Sequence, residues 1–370
     1  MTPTGARPTL PDVRRALRPP LGLPPLGLPP SMPLLAAALT MALGACAPDA
    51  PRTSEAPGTP QLSAGSREHT LTHAGVERRY LVDSPGAQPG QLLPLVVILH
   101  GGGGNAENAR ESMRLGALNE RHGALVMYAE GTAKKLMGRS LATWNAGACC
   151  GAAAREQVDD VGYLRAALDD VATRYPVDPA RVYLTGHSNG AMMAYRAACE
   201  LADRVAAIAP VGGQPPIPAC KPSVSVPTLH LHGETDRCAR YEGGTCGGCF
   251  SEVFGLGGGA DDWACAPVPA ALSAWAQAQG CTPTPTPDRR EHGARCHSFE
   301  GCTTNVTLCT LPDLGHAFPG GTNPLCQRAP ESRVCKKWQT VLGPDAPDYP
   351  TADVLWSFFS RHSRGSKAGG

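Results

Sequence analysis

Arg181-Val182-Tyr183-Leu184, Gly186-His187-Ser188-Asn189-Gly190 and Ala191-Met192-Met193-Ala194-Tyr195-Arg196-Ala197-Ala198 form one stretch whose reading decides the fold. An apolar run enters the pattern G-x-S-x-G and a helix-forming run leaves it. A strand that turns sharply into a helix crowds its backbone. A side chain two residues before or after the serine would strike the neighbouring strand or helix, and glycine removes that collision. The turn lifts the serine hydroxyl above the sheet edge, over the free N–H groups of the next helix. Ser188 is therefore a candidate nucleophile. In a chain with 43 glycines the pentapeptide alone says little, so the strand and helix around it carry the reading.

Outward from this turn, strands alternate with helices. Leu92–Leu99 is a continuous apolar, β-branched run of the kind a central parallel strand needs when buried on both faces. Val76–Val82 reads as an entry strand, Ala124–Tyr128 as another strand, and Asn105–His122 as a helix between strands. Val161, Leu164, Leu168, Val171 and Tyr175 recur at helical spacing and stop before Pro176. Asp159 and Asp160 open that helix and read as cap or dipole partners. Val205–Ala209, Val226–His232 and Val306–Leu311 are further strands, and Ala352–His362 is a final amphipathic segment. The pattern predicts an α/β fold, a mostly parallel central sheet with helices on both faces.

The 370 residues carry a formal charge of +1 with scattered Lys and Arg, which gives no basic stripe for nucleic acid. Residues 1–46 differ in kind. Arg14, Arg15 and Arg18 precede the apolar run Pro33–Leu43, and Leu43-Gly44-Ala45-Cys46 follows, the order of an export signal. The apolar run is too short to span a bilayer. Its ending is similar to a bacterial lipobox, which makes Cys46 the candidate lipidation site and leaves membrane contact to a lipid anchor alone; a plain secretory signal cut near Ala45 or Ala47 is the alternative. Removing Cys46 from the 15 cysteines leaves 14, which could all pair in an oxidising compartment. Residues 47–64 read as a flexible tether, 65–363 as the catalytic domain and 364–370 as a disordered tail.

A serine hydroxyl needs a base, and the base needs an acid to fix its tautomer. Asp236, in His232-Gly233-Glu234-Thr235-Asp236 just beyond a strand, is the acid, with Glu234 the runner-up and Asp261 or Asp262 less favoured. His316, in the glycine-rich loop after the last strand, is the base. The order serine, acid, histidine is that of α/β-hydrolases. An oxyanion hole needs two N–H donors. Asn189 supplies one; the loop His100-Gly101-Gly102-Gly103-Gly104-Asn105 supplies the other from Gly102, with Gly101 as the alternative. A phosphate cradle is the competing reading of that loop, but the Lys-Ser/Thr ending of a P-loop is missing.

On these residues the chain resembles the polyhydroxybutyrate depolymerase and feruloyl esterase group over roughly Glu68 to His362. The resemblance rests on Leu99–Asn105, Trp144–Gly151, Val158–Tyr163, Gly186–Arg196, His232–Asp236 and Gly315–Gly321. It implies an α/β-hydrolase fold with a Ser188, Asp236, His316 triad, secreted or lipid-anchored, acting on ester substrates without metal or organic cofactor. Trp144 and Phe318 are then candidates for the substrate wall; the family usually carries tryptophan where Phe318 stands. A Cys/Gly-rich insertion at about 238–265 departs from the family. Disulfides are its first reading; a zinc site from Cys238, Cys246, Cys249 and Cys265, or a redox Cys-x-x-Cys, are the others. A Cys199–Cys220 bridge is expected, and others among Cys281, Cys296, Cys302 and Cys309.

The expected substrates are short or amorphous 3-hydroxyalkanoate esters, since no polymer-binding module is read after the last helix; feruloyl or acetyl esters on plant polysaccharide are the alternative. A surface lipoprotein that kept the fold and lost catalysis, or a peptidase on the same fold, are readings of other classes.

Overall fold

Val96 and Ile98 pack into one apolar layer and Leu95, Val97 and Leu99 into the other, so a single strand is buried from both sides, as its continuous apolar run predicts. The computed structural model describes residues 62–136, 139–215, 220–254, 263–343 and 346–365. The expected leader with Cys46, the tether up to residue 61, Asp261, Asp262 and residues 366–370 of the tail lie outside the described residues. Residues 57–370 form one unit.

In chain order the elements begin with the strands β1 (Gly65–His73), β2 (Val76–Ser84) and β3 (Leu93–Leu99). The helices α1 (Ala106–Met113) and α2 (Ala117–Glu120) lead to β4 (Leu125–Ala129), β5 (Thr132–Leu136) and β6 (Arg139–Thr143). Then come α3 (Gly151–Arg155), α4 (Asp160–Arg174), β7 (Val177–His187), α5 (Asn189–Glu200), β8 (Ala207–Val211) and β9 (Thr228–Gly233). The insertion forms β10 (Gly244–Cys246), α6 (Cys249–Phe254) and β11 (Trp263–Cys265). The chain continues through α7 (Val268–Ala278), β12 (Arg289–Glu291), β13 (Ala294–Ser298) and β14 (Val306–Leu311). It closes with α8 (Pro324–Arg328), α9 (Arg333–Leu342) and α10 (Thr351–Phe359).

The main sheet has the order β1-β2-β4-β3-β7-β8-β9-β14-β13-β12. Its centre, from β4 to β14, is parallel throughout, and both flanks are antiparallel hairpins. Helices α4, α5 and α7 fill one layer with residues such as Leu164, Met193 and Trp275. Helices α1, α2 and α10 fill the other with Met113, Leu118, Leu355 and Phe359. No helix among the described residues is long and apolar enough to cross a membrane.

Two expectations need correction. The helix expected over Asn105–His122 is two helices, because Arg114 takes a left-handed conformation (φ 53°) that ends α1, as a C-terminal residue commonly does. Val76–Val82 is not the first strand of the sheet; it is the inner arm of a hairpin with β1.

All 14 cysteines of the described residues pair. Cys199 joins Cys220 as expected, Cys281 joins Cys302 and Cys296 joins Cys309. In the insertion Cys238 joins Cys249 and Cys246 joins Cys265, so none of the four is left as a thiolate for zinc. Cys149–Cys150 and Cys326–Cys335 complete the set.

Candidate active site

Ser188, Asp236 and His316 follow β7, β9 and β14, and the glycine loop follows β3, all at the carboxyl ends of parallel strands, where open α/β sheets bind ligands. Ser188 is held at φ 56°, ψ −120°, outside the ordinary regions for a residue with a side chain. The surrounding backbone enforces this. A Cβ on Gly186 would lie 2.5 Å from the Gly190 carbonyl oxygen, and one on Gly190 would lie 2.3 Å from that of Leu99. Ser188 N–H donates to Val211 O at 2.9 Å, which ties the turn to β8.

His316 Nε2 lies 2.8 Å from Ser188 Oγ, and His316 Nδ1 lies 2.7 Å from Asp236 Oδ2. The carboxylate can only accept, so Nδ1 carries the proton and Nε2 faces the serine as the acceptor. Asp236 Oδ1 accepts the N–H groups of Cys238 and Ala239 at 2.8 and 2.9 Å. Burial would raise the Asp236 carboxyl, but the His316 and His232 rings beside it hold it well below the usual carboxylate range. The runner-up Glu234 instead pairs with Arg295 on β13.

The histidine loop is braced from two sides. His316 N–H donates to Leu342 O at the end of α9, 2.6 Å away. His187 Nε2 donates to His316 O at 3.0 Å, its ring 4.9 Å from that of His316. Burial pushes His187 down to about 3, so it stays a neutral strut. Val253, Cys249 and Cys238 share an apolar cluster with Val341 and Leu342, so the insertion packs against the end of α9 that braces His316.

The glycine loop lies against the nucleophile turn: a Cβ on Gly102 would be 3.7 Å from Asn189 Cβ, and one on Gly101 would be 3.6 Å from Ser188 Cβ. Gly103 N–H is spent on Ala142 O and Gly104 N–H on Gly101 O. His100 fixes the loop from below. Its Nε2 accepts Gly131 N–H at 3.0 Å, so Nδ1 bears the proton and donates to Gly101 O at 2.8 Å. Burial pushes His100 down to about 4.

Trp144 is not a substrate wall. It has no exposed surface, and its indole N–H donates to His100 O at 2.9 Å. Its main chain is clamped by the Asn189 side chain, which accepts Trp144 N–H at 2.7 Å and donates to Trp144 O at 3.0 Å. Trp144 thus joins the two segments from which the oxyanion donors were read. Phe318 is 7 % exposed and meets the His187 ring edge-on at 5.7 Å.

Asp159 is the cap expected of it, accepting Gly162 N–H at 2.9 Å. Asp160 is not. It is fully buried, accepts Arg78 Nη2 at 2.8 Å on one oxygen and Asn145 N–H at 2.7 Å on the other, and so pins the Trp144 segment to β2. The Arg78 guanidinium lies 3.8 Å from the centre of the Tyr163 ring.

The sheet order, with a serine at a strand-to-helix turn and an aspartate and a histidine on later strand ends, defines an α/β-hydrolase. Residues 79–214 match the family described as Esterase PHB depolymerase. The chain is 30% identical over 325 residues to a protein of Nocardia uniformis subsp. tsuyamanensis named "Putative esterase NocK", covering 78% of this chain and 90% of that one. It belongs to this esterase family. It is also 29% identical over 257 residues to Feruloyl esterase B of Piromyces equi, spanning 66% of this chain but only 43% of that protein. Among solved structures, the acetyl xylan esterase from Aspergillus awamori superposes with a TM-score of 0.45 at 13% identity, over 68% of this chain and 94% of that one.

Proposed function

We propose that the protein is a serine carboxylic-ester hydrolase working through an acyl-enzyme. One observation carries the reading: a single imidazole, His316, touches Asp236 with one nitrogen and Ser188 Oγ with the other, at 2.7 and 2.8 Å. His316 Nε2 takes the serine proton as Oγ attacks the ester carbonyl carbon. Asp236 holds Nδ1–H and stabilises the imidazolium. The oxyanion rests on the main-chain N–H groups of Asn189 and Gly102. On collapse the C–O bond to the alcohol breaks and the alcohol leaves with the proton from Nε2. A water then gives its proton to His316, attacks the acyl carbonyl, and releases the acid and Ser188. No step calls for a metal or a cofactor.

For the substrate, the family match supports short or amorphous 3-hydroxyalkanoate esters. A second reading, feruloyl or acetyl esters on plant polysaccharide, is favoured by the resemblance to Feruloyl esterase B and to a bifunctional acetylxylan esterase/xylanase of Neocallimastix patriciarum, of which the chain covers 20%. Phe318, beside His187, is the residue assigned to the substrate wall. Seven disulfides support an exported protein. Cys46 is the proposed lipid anchor and residues 47–64 the tether.

The test is an activity panel on protein lacking residues 1–46, with p-nitrophenyl acetate and butyrate beside 3-hydroxybutyrate oligomers and methyl ferulate. Ser188→Ala should abolish turnover on every ester. Retained wild-type turnover in that variant would sink the reading, and failure of a fluorophosphonate probe to label Ser188 in the folded protein would favour a binding protein.

A further inference from the structure

Behind Asp236 lies a buried polar chain that the triad itself does not use. Tyr195 Oη on α5 is 2.8 Å from His230 Nδ1, and His230 Nε2 is 2.9 Å from His232 Nδ1. His232 Nε2 is 2.7 Å from Ala239 O and 3.3 Å from Asp236 Oδ2. All three side chains are at most 1 % exposed. His230 and His232 are two residues apart on β9, so the pleat sets them on one face, and they stack with ring centres 5.2 Å apart.

The protons along this chain are fixed by its end. A carbonyl oxygen and a carboxylate oxygen can only accept, so His232 Nε2 must carry a proton. With neutral rings, His232 Nδ1 is then an acceptor and His230 Nε2 the donor to it. His230 Nδ1 is in turn an acceptor, and Tyr195 O–H donates to it. Burial holds His230 well below its ordinary value, in keeping with a neutral ring. Each group has one permitted orientation, and the last donor ends on Ala239 O, in the turn whose N–H groups hold the acid of the candidate triad, with Asp236 Oδ2 3.3 Å away.

We infer that His232, oriented by His230 and Tyr195, is a positioning residue that holds Asp236 Oδ2 toward His316. The inference rests on the Ser188, His316, Asp236 reading. Asp236 Oδ1 is anchored by the Cys238 and Ala239 N–H groups, and Oδ2 takes His316 Nδ1–H, with His232 Nε2–H, donated to Ala239 O, 3.3 Å away on the other side. Without the His232 N–H, Ala239 O loses its buried partner and Oδ2 loses the dipole facing it, so the carboxylate is held less firmly on the His316 axis. The imidazole is then free to turn from the geometry in which it accepts the serine proton. The device acts on the orientation of one carboxylate.

The experiment compares His232→Leu, His232→Gln and Tyr195→Phe on the ester that wild type hydrolyses best, with far-UV circular dichroism and melting curves for each. His232→Leu removes the buried hydrogen bond to Ala239 O and the N–H dipole facing the Asp236 carboxylate and should lower kcat by about tenfold with KM unchanged. His232→Gln keeps an N–H near the Nε2 position and should stay within about threefold of wild type. Tyr195→Phe, which only frees the orientation of His230, should lower kcat severalfold at constant KM. The inference is overturned if folded His232→Leu keeps wild-type kcat, if the loss appears in KM, or if His232→Gln falls as far as His232→Leu. Should His232→Leu not fold, Tyr195→Phe decides: unchanged kcat overturns the inference. Ser188→Ala run alongside separates the two levels, since turnover surviving that variant refutes the triad and not merely its support.

Discussion

Replacing Asp160 by asparagine keeps the shape of the side chain and removes its charge. The carboxylate now accepts from Arg78 with one oxygen and from Asn145 N–H with the other. Asparagine has one acceptor, so its NH2 group must face one of those two donors. Either Arg78 keeps a buried charge without its partner or Asn145 N–H is left unsatisfied. Burial already pushes the Asp160 carboxyl up against the pull of Arg78, so the intact pair contributes little net stability. Breaking one half is another matter, costing about 3–5 kcal/mol when an uncompensated charge remains inside. For a unit of roughly 300 residues with about 2.1 cal/mol/K of unfolding entropy each, that loss lowers Tm by about 5–8 °C. Thermal melts of Asp160→Asn and of the double variant Arg78→Leu/Asp160→Leu read the result. The single variant should show the full drop, and the double should recover most of it because no buried charge is left. A simple helix cap would lose no more than about 1 kcal/mol in the same substitution. A Tm fall of a degree or less for Asp160→Asn would refute the reasoning.

Two further outcomes follow from the same geometry. His100 is neutral in the fold down to about pH 4, whereas in the unfolded chain it takes a proton near its ordinary value of 6.5. Above that value neither state binds the proton and the contribution is complete; as the pH falls from 6.5 to about 4 the unfolded state binds it and the fold does not. Stability should therefore decline by up to about 3 kcal/mol across this window. His100→Gln should flatten that part of a urea-melt pH series, and an unchanged slope would contradict the burial argument. Protein lacking residues 1–46, unfolded without reductant, should titrate no free thiol, because all 14 remaining cysteines are paired. Four reactive thiols would instead restore the zinc reading of the insertion.

The central strands were legible because burial on two faces demands an uninterrupted apolar run, and β3, β4 and β8 carry one. The meeting of Ser188, Asp236 and His316 was legible for a related reason: each follows a readable strand, β7, β9 or β14, so the chain order already places them on one edge. β1 was illegible because it is an exposed flank strand, with eight of its nine residues polar or glycine and no apolar alternation to read. Asp160 looked like Asp159 because both open α4; only Arg78, 82 residues upstream, distinguishes them. The resemblance made Trp144 a candidate for the substrate wall, whereas its indole N–H has a carbonyl waiting inside. The His230–His232 pair left a trace, two histidines at strand spacing just before the acid, but nothing local says that Tyr195 ends the chain.

The pairing pattern of the cysteines also bears on how the molecule is made. Every bridge spans 21 residues or fewer, so each closes within a short length of chain. Yet the bridges are of two kinds. Cys149–Cys150, Cys199–Cys220 and Cys326–Cys335 join cysteines that are next to one another in the series, while 238–249 with 246–265 and 281–302 with 296–309 interleave. An oxidant that joined each cysteine to the next as the chain emerged would make the first kind correctly and mispair all eight cysteines of the second. Four cysteines allow three connectivities, and the interleaved one is reached only after the next-neighbour pairs are broken. Under such next-neighbour oxidation, thiol–disulfide exchange would be needed to reach the native pairing; otherwise these pairs form after folding has brought their cysteines together. The first interleaved set lies in the insertion packed against the end of α9 whose Leu342 carbonyl holds His316, so a scrambled product would be faulty beside the candidate base.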